Sequence, residues 1–461
     1  MKRFFIVFFA SVLAIGVFAQ NEDAKQAVED YMRSSLYTII LDDHGLMDNH
    51  KATIIKDVFF NTPLPEKFND HNLMPQYRTF NPAMYEVTDA ELEEVTGKTK
   101  KGKSKGGFGK SLGKFAKNVA NDATAGIVDT TDTRKLPVKF MKFFIENHIP
   151  NRMIAKWYNQ SDYNPETNSC FDMELIKERG LYNATEFDKS IAEKSTRGLA
   201  MLADAGENLI KNTFVVGMRF NYISKEELAQ QLSETSTVVT GLIGGKAAAI
   251  TDAAVQVGST VAGKGYVIKA TAFLYQLDWN EEVANTFYNT YYNMPTEDEF
   301  FNSDLFKLKY VGSETSWADI QSTVFSKMSE DDLLKRATVR AIDNVIAKLQ
   351  KEHEAFRTKT PLLTTDPEIT AQIGLKEGLE EGDKYEVLEK IQDPETNIVT
   401  YKRVTTIKVD KKRIWDNRYA ADIEQAENAA NNVGEIQTIN ATYFTGSNKD
   451  IYPGMLIRQI N

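Results

Sequence analysis

The chain has 461 residues, with 55 basic against 65 acidic side chains and a formal net charge of −10 at pH 7. That length exceeds one core and predicts two or three domains, and the acidic balance argues against a general nucleic-acid binder. One cysteine, Cys170, excludes an intramolecular disulfide and any metal centre built on several thiolates.

Residues 1–19 read as an export signal. Lys2 and Arg3 open a positive segment, Phe4 to Phe18 runs without charge, and Val17 and Ala19 precede a cleavage point before Gln20. The run falls short of the about 20 apolar residues that span a membrane, so no transmembrane span is expected after signal removal. No cysteine stands directly after the cut, which argues against a lipid anchor. An exported chain without disulfides must be held by core area, which this length supplies.

Residues 20–96 form an N-terminal helical or mixed region. "DAKQAVEDYMRSSLYTIIL" places Ala27, Tyr31, Leu36 and Ile39 at helical spacing before turning strongly apolar. "DDHGLMDNH" reads as a polar loop leaving that helix, "NTPLPEKFNDHNLMP" as a proline-punctuated loop, and "DAELEEV" as a short acidic helix ending at Thr96 and Gly97. Residues 97–121 then change composition. Lys98, Lys100, Lys101, Lys103, Lys105, Lys110, Lys114 and Lys117 supply positive charge, and no acid stands between Glu94 and Asp122. The glycine-rich front half predicts a flexible insert; the back half puts Leu112, Phe115, Ala116 and Val119 on one helical face.

Residues 122–358 read as a central domain. "PVKFMKFFIENHIPNRMIAKWYNQ" is aromatic-rich and helical, with a break expected at Pro150. A long amphipathic helix follows in "ATEFDKSIAEKSTRGLAMLADAGENLIKN", lined by Ile191, Leu199, Leu202, Ala205 and Leu209. "TFVVGMRFNYIS" reads as a strand and "KEELAQQL" as a helix. Residues 236–264 are a Gly/Ala-rich insert, an inserted hairpin or helix pair; Lys246 and Asp252 count against a membrane span. "GYVIKATAFLYQLDW" and "LFKLKYVGSETSWA" are strands on either side of the helix "NEEVANTFYNTYYN". Ser329 caps a helix through "EDDLLKRATVRAIDNVIAKLQKEHEAF", with Leu334, Ala341, Val345 and Leu349 inward. Residues 359–461 turn to β: "PEITAQIG", "KYEVLEK", "IVTYKRVTTIKV", "IQTINATYF" and "MLIRQI" are short strands parted by turn residues, the pattern of a small barrel. "KRIWDNRYAADIEQAENAANN" is a helical or irregular connection among them. The fold class is therefore α+β: the N-terminal helical or mixed region, a central α/β sandwich with a mixed sheet, and a small β-barrel.

The last region resembles a known module. "IGLKEGLEEGDKYEVLEK", "IKVDKKRIWDN" and "PGMLIRQI" look like the SH3-like C-terminal domain of flagellar assembly protein T, over about residues 366–461. Gly374, Gly378, Tyr385, Val387 and Gly454 carry that resemblance as turn and core positions, and the 415–435 connection is longer than in the module. The resemblance implies an SH3-like barrel of the kind used for contacts. The whole chain also resembles a family of secreted proteins of Bacteroides-type bacteria through "RSSLYTIIL", "IPNRMIAKWYNQ", "RGLYNATEFDKS", "ADAGENLIKNTFVV" and "IGLKEGLEEG". It implies a periplasmic or outer-membrane-associated partner protein and brings no reaction or site residue.

Several constellations invite chemistry. "GKTKKGKS", Gly97 to Ser104, spells the phosphate-binding loop. That loop needs an apolar strand before it and a helix after it, whereas an acidic helix precedes and Lys105, Gly106 and Gly107 follow. The lysines are read instead as a solvated arm, a candidate to touch an anionic envelope surface or an acidic partner. Asp42, Asp43, His44, Asp48 and His50 are dense in ligand types, but their spacing fits no metal motif, and His71 and His148 need not approach. With five histidines and no nucleophile elbow, no triad is expected. Trp279 and the series Phe287, Tyr288, Tyr291 and Tyr292 read as core rather than ligand platforms. Arg197, Asp204 and Glu207 fit either surface pairs or a buried network.

No motif calls for a catalytic site, a cofactor or a metal. The expectation is a non-enzymatic exported envelope protein with a binding or assembly role, contacting its partner through the two inserts. The rivals are a glycan-directed hydrolase whose carboxylates converge only in three dimensions, and a ring- or pore-forming subunit. An oligomer is compatible with each.

Overall fold

The computed structural model describes residues 34–43, 49–65, 67–96, 133–162, 164–167, 169–182, 209–224, 264–293, 298–322, 328–392, 399–430 and 437–460. The expected export signal, the basic insert 97–121, the helix expected around Ile191 to Ala205, "KEELAQQL" and residues 236–263 lie outside them.

The first sheet is mixed, as expected. It is built from β1 (Ser34–Leu41), β2 (Phe68–Asp70), β3 (Thr79–Phe80), β4 (Thr213–Ser224), β5 (Lys264–Leu277) and β6 (Leu308–Ser322), in the order β2-β1-β4-β5-β6 with β3 also on β1. β1 runs parallel to β2, β3 and β4; β4, β5 and β6 are antiparallel. Residues 34–41, read as the end of a helix, are thus a strand with neighbours on both sides. Ser35 to Leu41 are all buried, with Leu36 and Ile40 in one core and Tyr37, Ile39 and Leu41 in the other. A strand covered on both faces loses its polar alternation, so its apolar run imitates a buried helix. Asp42 and Asp43 accordingly follow a strand, not a helix, and His50 stands in the first turn of α1 (Asn49–Asn61).

Helices cover both faces. On one, α1 and α8 (Glu330–Glu352) enclose a core with Ile55, Phe59, Phe214, Phe220, Leu334, Val345 and Leu349. α8 starts where the sequence predicts: Ser329 accepts from the Asp332 amide at 3.1 Å, and three acids occupy the first turn. On the other face lie α3 (Leu136–Glu146), α4 (Ile149–Trp157), α5 (Glu174–Tyr182), α6 (Glu281–Thr286) and α7 (Asp298–Phe301), while α2 (Asp89–Thr96) packs on α3. The break between α3 and α4 falls at Asn147 and His148, where His148 is left-handed (φ 50°), rather than at Pro150. Pro150 sits inside the first turn of α4, where its missing N–H costs nothing. α3 lies close because Gly217 makes room: a Cβ there would stand 2.1 Å from Phe140 Cζ. Burying rings such as Phe140 and Phe144 contributes roughly 2 kcal/mol each.

Residues 34–96, read as an N-terminal region, therefore supply β1 to β3 and α1 to the same sheet and cores as the residues from 133 to 356.

The second sheet is a nearly closed antiparallel barrel. β7 (Thr360–Pro361), β8 (Ile369–Ala371), β9 (Lys384–Gln392), β10 (Val399–Val409), β11 (Thr442–Thr445) and β12 (Leu456–Ile460) follow the order β7-β12-β9-β10-β11-β8. A bridge between Thr364 and Thr370 brings the two ends together. Leu362, Ile373, Val387, Ile407 and Ile457 fill the interior. The long connection between β10 and β11 contains α9 (Ala421–Ala430). Phe356, just after α8, belongs to the core of the first sheet, 5.0 Å between ring centroids from both Phe68 and Phe214. The barrel thus begins four residues after an anchor point in the sheet domain.

Candidate functional site

The eight lysines of the proposed arm, Lys98 to Lys117, lie outside the described residues, as do Arg197, Asp204 and Glu207. Their flanks are described. α2 ends at Thr96 and α3 begins at Leu136, and the two are tied together: Lys142 pairs with Glu91 at 2.7 Å. Glu91 also closes a capping box with Thr88, whose amide donates to it at 2.9 Å while the Thr88 hydroxyl accepts from the Glu91 amide at 3.4 Å. The second insert is flanked more tightly still. It separates β4 from β5, and Ser224 is paired with Tyr266 in their ladder.

The acid- and histidine-rich stretch does not converge. Asp42 pairs with Lys56 at 2.8 Å, Asp43 with Arg219 at 2.5 Å, and His50 with Asp331 of α8 at 3.2 Å. His44 and Asp48 lie outside the described residues. Among the described residues no group of three His, Cys, Asp or Glu is placed to hold a metal ion. Cys170 is buried in the second core. Trp279 packs between Tyr158 and Phe306, and Phe287 is fully enclosed on a π-helical turn, Phe287–Tyr291, so both read as core. An open depression of about 680 Å³ follows the polar side of α6, lined by residues such as Asn280, Glu282, Asn285 and Asn289. Its lining comes from one helical segment, so it offers no opposed catalytic groups.

Three polar clusters were not singled out in the sequence. The first lies under α5. Arg179 reaches back to β1 and donates to Ser35 Oγ at 2.9 Å, Asp70 O at 2.9 Å and His71 Nδ1 at 3.1 Å, with its guanidinium 4.3 Å from the Trp157 ring centre. Arginine can only donate, so His71 Nδ1 accepts. His71 Nε2 therefore carries the proton and donates to Met153 O at 2.9 Å. Burial, with Arg179 and Lys156 beside it, holds the His71 imidazole well below its usual 6.5, in the neutral form this network requires.

The second lies beyond Gly217, where the α3 face of the sheet turns polar. Arg219, Asn221, Lys269, Thr271 and Thr315 are all buried. Thr271 and Thr315 share a hydrogen bond at 3.1 Å, and Lys269 lies 5.8 Å from the Trp317 ring centre. The signal was present as alternation: in "TFVVGMRFNYIS" the polar Arg219 and Asn221 alternate with Met218, Phe220 and Tyr222.

The third is the junction between α8 and the barrel. Arg336, Arg340, Asp343, Ala347 and Lys351 make one stripe on α8, at helical spacing. Arg340 meets Glu424 of α9 at 2.6 Å, and Lys351 meets Glu380 and Asp383 at 3.1 and 3.4 Å. Gly378 lies directly on the helix in a left-handed turn (φ 71°), where a Cβ would stand 3.0 Å from that of Ala347. Gly378, read as a turn residue, therefore shapes the docking surface itself, while Gly374 packs on Trp415 and Asn417 of the barrel's long connection. The Glu377 carboxylate accepts from the Gly374 amide at 2.6 Å and from Asn417 at 2.8 Å.

These polar groups are mostly committed to one another, which is the chemistry of structural networks. No known family model matches the chain, and no curated protein is similar to it.

Proposed function

We propose that this chain is a non-enzymatic envelope protein that binds or assembles with a partner through its two inserts, displayed on a joined sheet and barrel. The observation that supports this reading is the way both inserts are rooted. Residues 97–132 depart and return through α2 and α3, which Glu91 and Lys142 tie together. Residues 225–263 depart and return across the Ser224–Tyr266 pair of one hairpin. Insertions rooted this way can vary without cost to the core, and exposed loops on a fixed scaffold are where contacts concentrate. The first carries eight lysines in an otherwise acidic chain, which suits an anionic envelope surface or an acidic envelope protein. The export signal read in residues 1–19 and the resemblance to secreted proteins of Bacteroides-type bacteria agree with that address. Among the described residues no helix is long and apolar enough to cross a membrane.

The test is deletion of residues 97–121 and 236–263 from the full chain, the second ending before Lys264 because that residue opens β5. The shortened protein should unfold in urea within about 0.5 kcal/mol of the parent, yet lose retention on anionic vesicles or recovery of its envelope partner after crosslinking. Unchanged recovery of partner and vesicles would reject the assignment.

A further inference from the structure

α8 has two working faces. Leu334, Ala337, Ala341, Val345 and Leu349 face the sheet core, and the stripe centred on Asp343 faces the barrel. Asp343 is 6% exposed, and its Oδ2 has no hydrogen-bond partner. The neighbouring charges leave it so. Arg340, one turn earlier on α8, is drawn to Glu424 of α9. Lys351, two turns later, is drawn to Glu380 and Asp383 of the barrel. In the 415–425 connection Arg418 pairs with Asp416 at 2.6 Å. From the barrel turn, Lys376 and Glu377 both face Asp343 with opposite charge, and Lys67, just before β2, faces Glu377. The carboxyl is thus enclosed between two parts of the fold, beside one like charge, with no donor on one of its oxygens.

An ionised carboxylate without a donor is costly in such a place, and a proton removes the cost. Burial pushes the Asp343 carboxyl up to about 7, with Lys376 and Arg340 pulling against it and Glu377 adding to it. Separated from the barrel and open to water, the same carboxyl returns toward 3.8.

We propose that docking of the barrel onto α8 is proton-linked, with Asp343 taking up a proton as the junction closes. The direction follows from linkage. Below about 3.8 both states hold the proton and the junction is at its strongest. Between about 3.8 and 7 the separated state has released the proton and the docked state has kept it, so docking weakens as pH rises. Above about 7 both are ionised and the dependence ends. Acid therefore tightens the contact between sheet and barrel, and alkali loosens it.

The experiment is amide hydrogen exchange on the full chain at pH 5 and pH 8. Protection of residues 374–379 is read against the amides of β5 in the same sample, which cancels the intrinsic pH dependence of exchange. In the parent protein the relative protection at the junction should fall by at least about tenfold between the two conditions. Asp343→Asn, a neutral substitute of the same shape, should abolish that fall and keep the junction at both pH values at least as protected as the parent is at pH 5. A parent ratio that is flat or rises with pH overturns the proposal, and so does an Asn variant that keeps the parent's fall. Should the variant fail to fold, the parent ratio alone decides.

Discussion

Arg179 and Asp343 are both charged side chains taken out of water, the first beneath α5 against the sheet, the second beneath the barrel. Both are more than nine-tenths buried. Arg179 finds Ser35, Asp70 and His71 as acceptors and the Trp157 ring as a platform. Asp343 finds no donor for Oδ2. Burial is the same in the two places, and satisfaction is not. A satisfied buried charge fixes geometry, whereas an unsatisfied one makes its surroundings sensitive to the proton. The sheet domain is thereby pinned, and the contact that joins it to the barrel is left adjustable.

The network beneath α5 is the more vulnerable of the two, and Arg179 is its centre. Arg179→Met keeps much of the stem over Trp157 but leaves three acceptors without this donor, two of them, Ser35 and His71, fully buried. A loss of about 3 kcal/mol in urea denaturation is expected. A loss below about 1 kcal/mol would mean that the network beneath α5 adds little to the fold. In the barrel turn beside the junction the corresponding lesion is Gly374→Ala. Its φ of −155° suits any residue, so the effect is steric: a Cβ would stand 2.1 Å from Trp415 O and 2.6 Å from Asn417 Oδ1. A backbone carbonyl cannot swing aside, and about 2 kcal/mol should be lost. Hydrogen exchange should place the damage at the barrel turn and leave β1 and β4 protected.

The gentlest test is pH. His71 is held neutral in the fold, while the unfolded chain takes a proton near 6.5. Below that value the unfolded state binds more protons, so stability falls as acid is added, by at most about 1.4 kcal/mol per pH unit, and is level above it. This slope opposes that of Asp343 between about pH 4 and 6.5. His71→Gln can donate to Met153 and accept from Arg179, and should remove the acid-side loss while leaving the junction's response in place. Urea midpoints measured at pH 5 and pH 7 would check it; an unchanged acid slope would show that other groups govern it.

The legible parts of the fold are those whose cause is local. The alternation in 213–224 and 264–277 marks strands, Ser329 with three following acids marks the start of α8, and short strands between turn residues mark the barrel. Residues 34–41 misled because a strand covered on both faces has no polar side to betray its period. α1 does carry a local signal, since Ile54, Ile55, Val58 and Phe59 share one helical face, but the reading of 20–60 assigns no helix there. Of the polar clusters, the alternating Arg219 and Asn221 left a trace in the sequence, and the other two left none. Arg179 and Ser35 are 144 positions apart, and Asp343 faces a turn more than 30 residues further on. No spacing rule reaches across such separations.

Local sequence carries the α+β class, the strands β4 to β6, the barrel and the two compositional islands, because periodicity, capping and turn chemistry are written over a few neighbouring residues. The tertiary structure alone decided that β1 lies inside the sheet, that both inserts have tied roots, and that Asp343 lacks a donor. Each of those depends on which distant segments fold against one another, and on whether a polar atom taken from water meets a partner there.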